Sequence, residues 1–396
     1  MRPCERRSGQ REPQCGFRFP IGCPSPLFAR VLINDRPAKI LILGEASVTH
    51  AQRWAQWFAD RAWTTRWLSF APISSGQPAE SLGAVTGHRA WRVLRTVSKV
   101  RRIIDQFRPD IVSALFIPDY GWLAAMAGSH PVSVSAWGSD VLISPRKSPL
   151  HRWRISYVLK RADRVFADAE FLRGKLLDLD AKPDAISLIP LGVDDEWLDI
   201  AKTRPREPLS PVTVLINRRQ EPLYRVETLV QSASLLSPEE QSRFRFVLIG
   251  EGSQSERLRE LTHRLGVGAL FECRPWLAAE QLREALSKAD LYVSTSSSDG
   301  TSVSLLEAMA AGCYPVVTDI PGNREWIVDG DNGLFFEVGN ADMLAERLRR
   351  AAAQPDLRER AAARNREIIT RRARWIDNMT AVENAMIETI QACNSV

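Results

Sequence analysis

The chain has 396 residues, of which 44% are hydrophobic and 25% are charged, as is ordinary for a globular protein. At roughly 100–200 residues per domain, this length predicts two domains, each able to bury a core without disulfides. The sequence contains no run of about 18 apolar residues, so it predicts no membrane-spanning helix. The N-terminus is basic but has no apolar segment of the secretory kind, so we expect a cytoplasmic protein.

The cysteines and histidines do not show a metal-binding pattern. The six cysteines form no C-x-x-C pair and the five histidines are scattered, so we expect no metal site.

The charged residues are distributed unevenly along the chain. Residues 1–200 carry 28 Lys and Arg against 20 Asp and Glu, a balance of +8, whereas residues 201–396 carry 25 against 27, a balance of −2. The surplus of basic residues predicts that the first half binds an anionic partner, such as a membrane surface or a charged acceptor. We expect no nucleic-acid partner.

The first half alternates short apolar strands with helices. Residues 1–36 lack periodicity, and we expect a disordered extension. The run KILILG (39–44) then predicts a buried parallel strand before a helix, and further strands are predicted at 108–116, 131–137, 160–167 and 184–193. This pattern predicts a doubly wound α/β domain over 37–200.

A second alternation follows a proline-rich stretch. Residues 201–211 contain three prolines and predict a linker. Strands are then predicted at 212–219, 245–252, 270–275, 290–295 and 314–319, which indicates a second domain over 212–375. We expect residues 376–396 to form a helix that packs back on the first domain. Two facing parallel sheets place the ligand site in the cleft between their carboxyl edges.

The segment 294–327 carries the clearest chemical signal. A predicted strand ends in the loop SSSDGTS, which opens directly into the helix SLLEAMAAG. Free N–H groups at such a helix start favour a phosphate, and Asp299 and Glu307 can each bind a vicinal diol. The alternative is that Asp299 only caps the helix and that Glu307 is solvated.

This segment resembles the donor site of glycosyltransferase family 4, which has two acidic residues separated by seven and an Ala-Met-Ala-x-Gly helix. Other segments resemble that family in the same order, namely SAWGSDVL (135–142), ISLIPLGVD (186–194), FRFVLIGEGSQSERLREL (244–261) and GNREWIVDGDNGLFF (322–336). The resemblance implies the GT-B fold, in which two Rossmann-like domains face each other across a cleft. It also implies a retaining transfer of a hexosyl-type sugar from a nucleotide-sugar to a hydroxyl acceptor, in the synthesis of cell-surface polysaccharide or glycolipid, without a metal or other cofactor.

The resemblance also assigns residues. Glu307 would bind the ribose, Asp299 the donor sugar, and Arg219 the leaving phosphate, with Asp140 as a further catalytic candidate. The other donor-side residues would be Gly300, Thr301, Ser302, Val303, Arg225, Gly250, Trp276 and Leu277. The acceptor side would comprise Gly44, Glu45, Trp137, Gly138 and Ser139.

Four positions depart from the family pattern. Asp299 stands where Glu is usual, and Tyr224 stands where a phosphate-binding Lys is usual, with Arg225 as its substitute. Trp137 replaces a His, and the N-terminal Gly-Gly turn is reduced to Gly44-Glu45. These departures keep two alternatives open, namely a nucleotide-sugar 2-epimerase and a nucleotide-sugar-binding protein without turnover. A dinucleotide site at GEGSQS (250–255) is disfavoured because its third glycine is missing.

A basic amphipathic helix is predicted at 88–107. Trp91, Leu94, Val97, Val100 and Ile104 form its apolar stripe, and Arg89, Arg92, Arg95, Lys99 and Arg102 form its polar face. One interpretation is a core-facing stripe with a solvated basic face. The other is a basic face that rests on anionic lipid, which would make the protein peripheral at the inner face of the cell membrane, with a lipid-linked acceptor.

Overall fold

The computed structural model describes residues 32–33, 35–70, 78–83, 89–128, 131–203 and 211–395, with the backbone alone for 89–94 and 201–203. The extension predicted over 1–36 and the linker predicted over 201–211 lie largely outside these residues. Trp91, Leu94, Arg89 and Arg92 fall among the side chains that are not described.

A seven-stranded parallel sheet forms the N-terminal domain. After a short antiparallel pair, β1 (Leu32–Ile33) and β2 (Arg36–Pro37), its strands run in the order β5-β4-β3-β6-β7-β8-β9. These strands are β3 (Lys39–Leu43), β4 (Thr64–Ser69), β5 (Ala79–Ser81), β6 (Ile111–Leu115), β7 (Val132–Ala136), β8 (Arg164–Ala167) and β9 (Ile186–Leu188). Every residue of β6 and β7 is buried, as expected for central parallel strands covered on both faces.

A six-stranded parallel sheet forms the C-terminal domain, in the order β12-β11-β10-β13-β14-β15. Its strands are β10 (Val212–Asn217), β11 (Phe244–Ile249), β12 (Phe271–Arg274), β13 (Leu291–Ser294), β14 (Tyr314–Thr318) and β15 (Leu334–Phe336). The alternation in the sequence thus predicts ten of the thirteen strands of the two sheets, and it overlooks β4, β5 and β15. Two doubly wound α/β domains are confirmed.

Helices connect the strands of both sheets. The helices that precede β10 are α1 (Thr49–Asp60), α2 (Arg89–Phe107), α3 (Trp122–Ala127), α4 (Ser139–Leu142), α5 (Pro149–Arg161), α6 (Glu170–Leu177) and α7 (Asp195–Thr203). The later ones are α8 (Glu227–Ser234), α9 (Pro238–Gln241), α10 (Ser255–Arg264), α11 (Ala279–Ser287), α12 (Val303–Ala310), α13 (Pro321–Arg324), α14 (Ala341–Ala353), α15 (Pro355–Arg372) and α16 (Trp375–Asn394). None of the described helices is both long and apolar enough to cross a bilayer.

The chain crosses between the domains twice, at adjacent points. The N–H of Val193 donates to the carbonyl of Ala373 and the N–H of Trp375 donates to the carbonyl of Val193, both at 2.8 Å. Gly192 has φ +77°, and a Cβ there would lie 2.7 Å from the Ala373 carbonyl oxygen, so the approach requires glycine. The second crossing leads directly into α16.

Helix α16 lies against the N-terminal domain. Glu383, which is buried, accepts a 2.7 Å hydrogen bond from Trp63 Nε1 and forms a 2.9 Å ion pair with Arg61. Further along the helix, Arg164 Nε donates to Thr389 Oγ1 at 3.0 Å. The last helix of the chain therefore contributes to the core of the first domain.

Replacing Glu383 by Ala should lower the free energy of unfolding by about 3 kcal/mol, since Trp63 loses its acceptor and the Arg61 guanidinium loses a buried carboxylate. Urea unfolding of the full chain measures the change. The matched control is Glu388→Ala on the same helix, where the side chain is 70% exposed and lies 3.8 Å from Arg164, and where we expect a loss of no more than about 0.5 kcal/mol. Equal losses in the two variants would contradict a stabilising role for the buried pair.

Candidate functional site

Arg218 occupies the centre of the cleft, one residue beyond the end of β10. Its Nη1 donates to Ser302 Oγ at 2.7 Å, and its Nη2 pairs with the Asp299 carboxylate. Its guanidinium lies 4.4 Å from the ring centre of Tyr224. The side chain is 8% exposed, so a buried cation faces the loop that precedes α12.

The arginine predicted for this position, Arg219, is exposed instead. Neighbouring residues at the end of an extended segment point in opposite directions, so only one of the two arginines can enter the cleft. The arginine that lies against the loop before α12 is therefore Arg218, one residue before the predicted Arg219. Arg225, the predicted substitute for the absent lysine, also lies elsewhere, since its guanidinium packs on Gly339.

The start of α12 is already in contact with the N-terminal domain. Ser302 caps the helix by accepting from the N–H of Leu305 at 3.4 Å. The N–H of Thr301 donates to Asp168 Oδ2 at 3.3 Å, and Thr301 Oγ1 donates to the Asp168 carbonyl. Of the four N–H groups predicted to bind the diphosphate, those of Gly300, Thr301, Ser302 and Val303, one is thus engaged by a carboxylate in this arrangement.

Two glycines bring the domains together beside this contact. Gly138 has φ +102°, and a Cβ at this position would lie 2.7 Å from the nitrogen of Gly300. Nearby, the Glu325 carboxylate accepts from the N–H groups of Glu170 and Phe171, at 2.9 and 2.8 Å, and so caps α6 from the other domain. The structure is therefore a closed one, with the two domains touching at the predicted site.

Asp168 is a site residue that the sequence analysis missed. It follows β8 directly, is 4% exposed, and its Oδ1 has no hydrogen-bond partner among the described residues. Burial, together with the nearby Asp140 and Asp299 carboxylates, raises the pKa of Asp168 well above its usual range. No motif surrounds this residue in the sequence, and only the approach of the two sheets gives it a role.

Asp140, predicted to be catalytic, holds the backbone of its own domain. Its carboxylate accepts from the N–H groups of Trp137 and Val141, both at 3.1 Å, and from that of Ile117 at 3.5 Å. Burial raises the pKa of Asp140 to about 6. The side chain is completely buried, and its hydrogen bonds hold the turn of Gly138 and Ser139 in place.

Glu307 lies on α12, where it is partly buried beside the Asn217 side chain. Burial raises the pKa of Glu307 to about 7, and the Asp194 carboxylate adds to this effect, whereas Arg53 and Arg218 oppose it. The alternative of a solvated Glu307 is excluded. Asp299 precedes α12 and is paired with Arg218, whereas Glu307 lies within the helix.

The predicted donor-side residues Gly250, Trp276 and Leu277 lie at the carboxyl ends of β11 and β12. Gln220 Nε2 donates to the Gly250 carbonyl at 2.6 Å, and the N–H of Gly250 donates to the Arg274 carbonyl at 3.0 Å. The Trp276 ring lies against Gly250, where a Cβ would come within 3.1 Å of it, yet the side chain remains 50% exposed. Leu277 is half-buried beside it.

The acceptor-side residues lie at the carboxyl ends of β3 and β7. Gly44 accepts a 3.0 Å hydrogen bond from Trp67 Nε1 through its carbonyl, and Glu45 accepts from Tyr120 Oη at 2.9 Å. The Trp137 ring stands edge-on to His50, with 6.1 Å between ring centres. Burial, together with Arg53 and Arg218, lowers the pKa of His50 to about 4, so a neutral imidazole lies near the cleft arginine at neutral pH.

Two family models match the two domains in chain order. Residues 39–169 match the family described as "Glycosyl transferase 4-like", and residues 199–368 match "Glycosyl transferases group 1". Together the models cover both sheets except β9, and they include the loop that precedes α12.

Individual relatives agree with these families. EpsD of Bacillus subtilis, to which a glycosyltransferase activity is attributed, is 24% identical over 74% of this chain and 81% of its own length. The D-inositol 3-phosphate glycosyltransferase of Streptomyces scabiei is 26% identical over 61% of this chain, and the match covers 59% of that protein. The crystal structure of Anabaena HepE with UDP and glucose superposes with a TM-score of 0.72 at 18% identity, covering 88% of this chain and 99% of that one. The superposition confirms the predicted two-domain GT-B fold.

Asp168→Asn should stabilise the protein progressively as the pH rises. The folded pKa of Asp168 is raised, so above the ordinary aspartate pKa of about 4 the unfolded chain releases a proton that the folded chain retains. Folding therefore becomes less favourable until the pH passes the folded pKa, and the neutral Asn avoids this loss. Thermal unfolding between pH 4 and 9 measures it, with the exposed Asp178→Asn as control. A difference in Tm that does not change with pH would contradict the raised pKa.

Proposed function

The chain is a glycosyltransferase with the GT-B fold, and from this premise we propose that it transfers a hexosyl-type sugar from a nucleoside-diphosphate sugar to a hydroxyl acceptor with retention of anomeric configuration. The observation that carries the proposal is the pairing of Arg218 with Asp299 and Ser302 at the start of α12. This arrangement places a cation that follows β10 beside a carboxylate of the loop before α12, and we propose that this carboxylate binds the donor sugar.

The proposed chemistry depends on charge that develops on the leaving diphosphate. As the bond to the sugar breaks, negative charge grows on the phosphate oxygens, and a cation placed beforehand stabilises that state. We propose that Arg218 supplies this cation and exchanges part of its pairing with Asp299 for the phosphate. The N-terminal end of α12 adds its dipole, so the scheme relies on no resident metal.

Retention follows, in this proposal, from attack on the same face that the diphosphate leaves. The acceptor hydroxyl would approach from the N-terminal domain, near Gly138 and Glu45, and transfer its proton to the departing phosphate oxygen. Asp299 would bind ring hydroxyls of the donor sugar once the diphosphate engages Arg218. Glu307 would bind the ribose and Trp276 would cover the base.

The nature of the donor and acceptor is proposed on two grounds. Anabaena HepE, which shares the fold, was solved with UDP and with UDP-glucose, so uridine nucleotides are the first donors to test. The basic balance of residues 1–200 supports an acceptor of glycolipid or polysaccharide type, lipid-linked and presented at an anionic membrane surface on the cytoplasmic side.

The deciding experiment incubates the full chain with a panel of nucleoside-diphosphate sugars, with and without lipid-linked acceptors. Transfer of the sugar together with release of the nucleotide supports the proposal, and the anomeric configuration of the product tests retention. Release of a free epimer would indicate a 2-epimerase. Donor binding without any product would indicate a protein that has lost turnover, as the replacement of a lysine by Tyr224 left open.

Arg218→Ala should reduce kcat by about 10²–10³-fold, because Arg218 acts mainly on charge that appears in the transition state. Arg219→Ala is a matched control on the adjacent residue, and its kcat should remain within about twofold of wild type, since that side chain is exposed. Steady-state kinetics with saturating donor measure both. If Arg219→Ala loses the larger share of kcat, the assignment to Arg218 fails.

Glu307→Gln should weaken donor binding by roughly 1–3 kcal/mol, because a charge-assisted hydrogen bond to the ribose diol is lost. The raised pKa of about 7 adds a signature, since the wild-type carboxylate ionises between pH 6 and 8 and donor affinity should rise over that interval. Calorimetric titration with the nucleotide at several pH values measures this, with exposed Glu346→Gln as control. A variant that keeps the pH dependence would refute the role of Glu307.

A further inference from the structure

Apolar rings gather on the surface of helices α3 and α5 in the N-terminal domain. Leu150 and Trp153 are 62% and 55% exposed, which makes them the most exposed large apolar side chains of this domain among the described residues. Trp153 lies 5.7 Å from both Trp122 and Tyr157 between ring centres, and Trp122 and Tyr157 lie 5.3 Å apart. We call Leu150, Trp153, Tyr157 and Trp122 the α5 patch. Clustered exposed apolar groups of this kind mark an interaction surface.

The α5 patch is framed by positive charge. Residues 141–162 contain six Lys and Arg and no Asp or Glu. The Arg154 guanidinium lies 5.0 Å from the ring centre of Trp122, and that of Arg161 lies 4.4 Å from that of Tyr157. Arg146 and Lys147, just before the helix, are exposed. The acidic groups at the edge are partly engaged, since Asp180 accepts from Ser156 and lies 3.3 Å from Lys160.

Helix α2 extends the same surface. Helix α3 packs against both α2 and α5. Arg101 of α2 donates to the carbonyls of Ala127 and Met126, at 3.1 and 2.9 Å, and so joins the end of α3. The apolar side chains of α2 at Val97, Val100 and Ile104 are buried, as a core-facing stripe requires. Helix α2 therefore adds exposed cations to this face, whereas the exposed ring is Trp153 of α5, supported by the half-buried Trp122 and Tyr157.

We propose that the α5 patch is the surface by which this protein docks on an anionic lipid bilayer. Trp and Tyr rings prefer the interfacial depth of a membrane, and flanking Arg and Lys side chains bind the lipid phosphates. Leu150 and Trp153 enter the interface, and Arg146 and Lys147 contact the headgroups. The inference deepens the proposed membrane-surface function and moves the contact from α2 alone to α5.

The test compares variants of the full chain in co-sedimentation with vesicles, either of phosphatidylcholine alone or of phosphatidylcholine mixed with phosphatidylglycerol. Leu150→Ser with Trp153→Ser removes the apolar contact, and Arg146→Glu with Lys147→Glu reverses the charge. The controls lie at exposed positions of the other domain, on α10 and the residue after it. Leu265→Ser is the control for the apolar pair, and Arg257→Glu with Arg264→Glu is the control for the charge-reversed pair. A further pair, Lys99→Glu with Arg102→Glu, tests α2.

Wild type should bind the mixed vesicles in a salt-sensitive manner, and each α5 pair should reduce the binding by about tenfold or more while the controls do not. Normal binding by both α5 pairs, or a loss restricted to the α2 pair, would overturn the proposal. The proposal would also be overturned if light scattering shows a wild-type dimer that both α5 pairs dissociate while vesicle binding stays unchanged. That result would mean that the α5 patch is a dimer interface.

The outcome is independent of the chemistry proposed above. Binding of UDP, followed by calorimetry, should be the same in wild type and in every α5 variant, because none of these residues lines the cleft. Failure of UDP binding in all of the proteins would count against the proposed donor and leave the vesicle result intact. Normal UDP binding without vesicle binding by wild type would count against the docking surface alone.

Discussion

The pair of backbone hydrogen bonds at Val193 fixes the relation between the two halves of this molecule. Because the outgoing and returning segments lie side by side there, the C-terminal helix must emerge beside the first domain and complete its core. The other contacts across the cleft are the close backbone approach of Gly138 to Gly300 and hydrogen bonds between a side chain and a loop or a helix end. We therefore expect a change in the angle between the domains to pivot at Val193.

Within this frame, the cleft concentrates acidic groups around one buried arginine. Asp299 neutralises Arg218 directly, whereas burial and the nearby Asp140 and Asp299 carboxylates raise the pKa of Asp168. The closed site therefore contains a carboxyl group on the Thr301 N–H, where the family resemblance predicts a phosphate. We expect a donor diphosphate to displace this polar contact, which would favour strongly charged ligands.

The sequence predicts the fold well because strand and helix periodicities are local properties, and the buried strands β3, β6 and β7 are continuous apolar runs. It predicts that Asp299 and Glu307 lie close together because they belong to one loop and the helix that follows it. It does not distinguish Arg218 from Arg219, because the direction of a side chain at a strand end depends on a single residue of register. Asp168 could not be found from the sequence, since its role arises only when two domains meet. The backbone hydrogen bonds of Asp140 could have been predicted, because an aspartate in a Gly-Ser-Asp turn ordinarily binds backbone N–H groups.

The contact between Gly138 and Gly300 has a consequence for how this protein tolerates change over time. Neither position can gain a side chain while the domains stay in this arrangement, because a Cβ at Gly138 would meet the Gly300 nitrogen and a Cβ at Gly300 would meet the Asp168 carboxylate. Each glycine is therefore constrained by the domain to which it does not belong. A single methyl group at either glycine would clash with the other domain and so favour a more open arrangement. The same substitution would be a practical means of holding the molecule open, so that the conformations along its cycle can be isolated and compared.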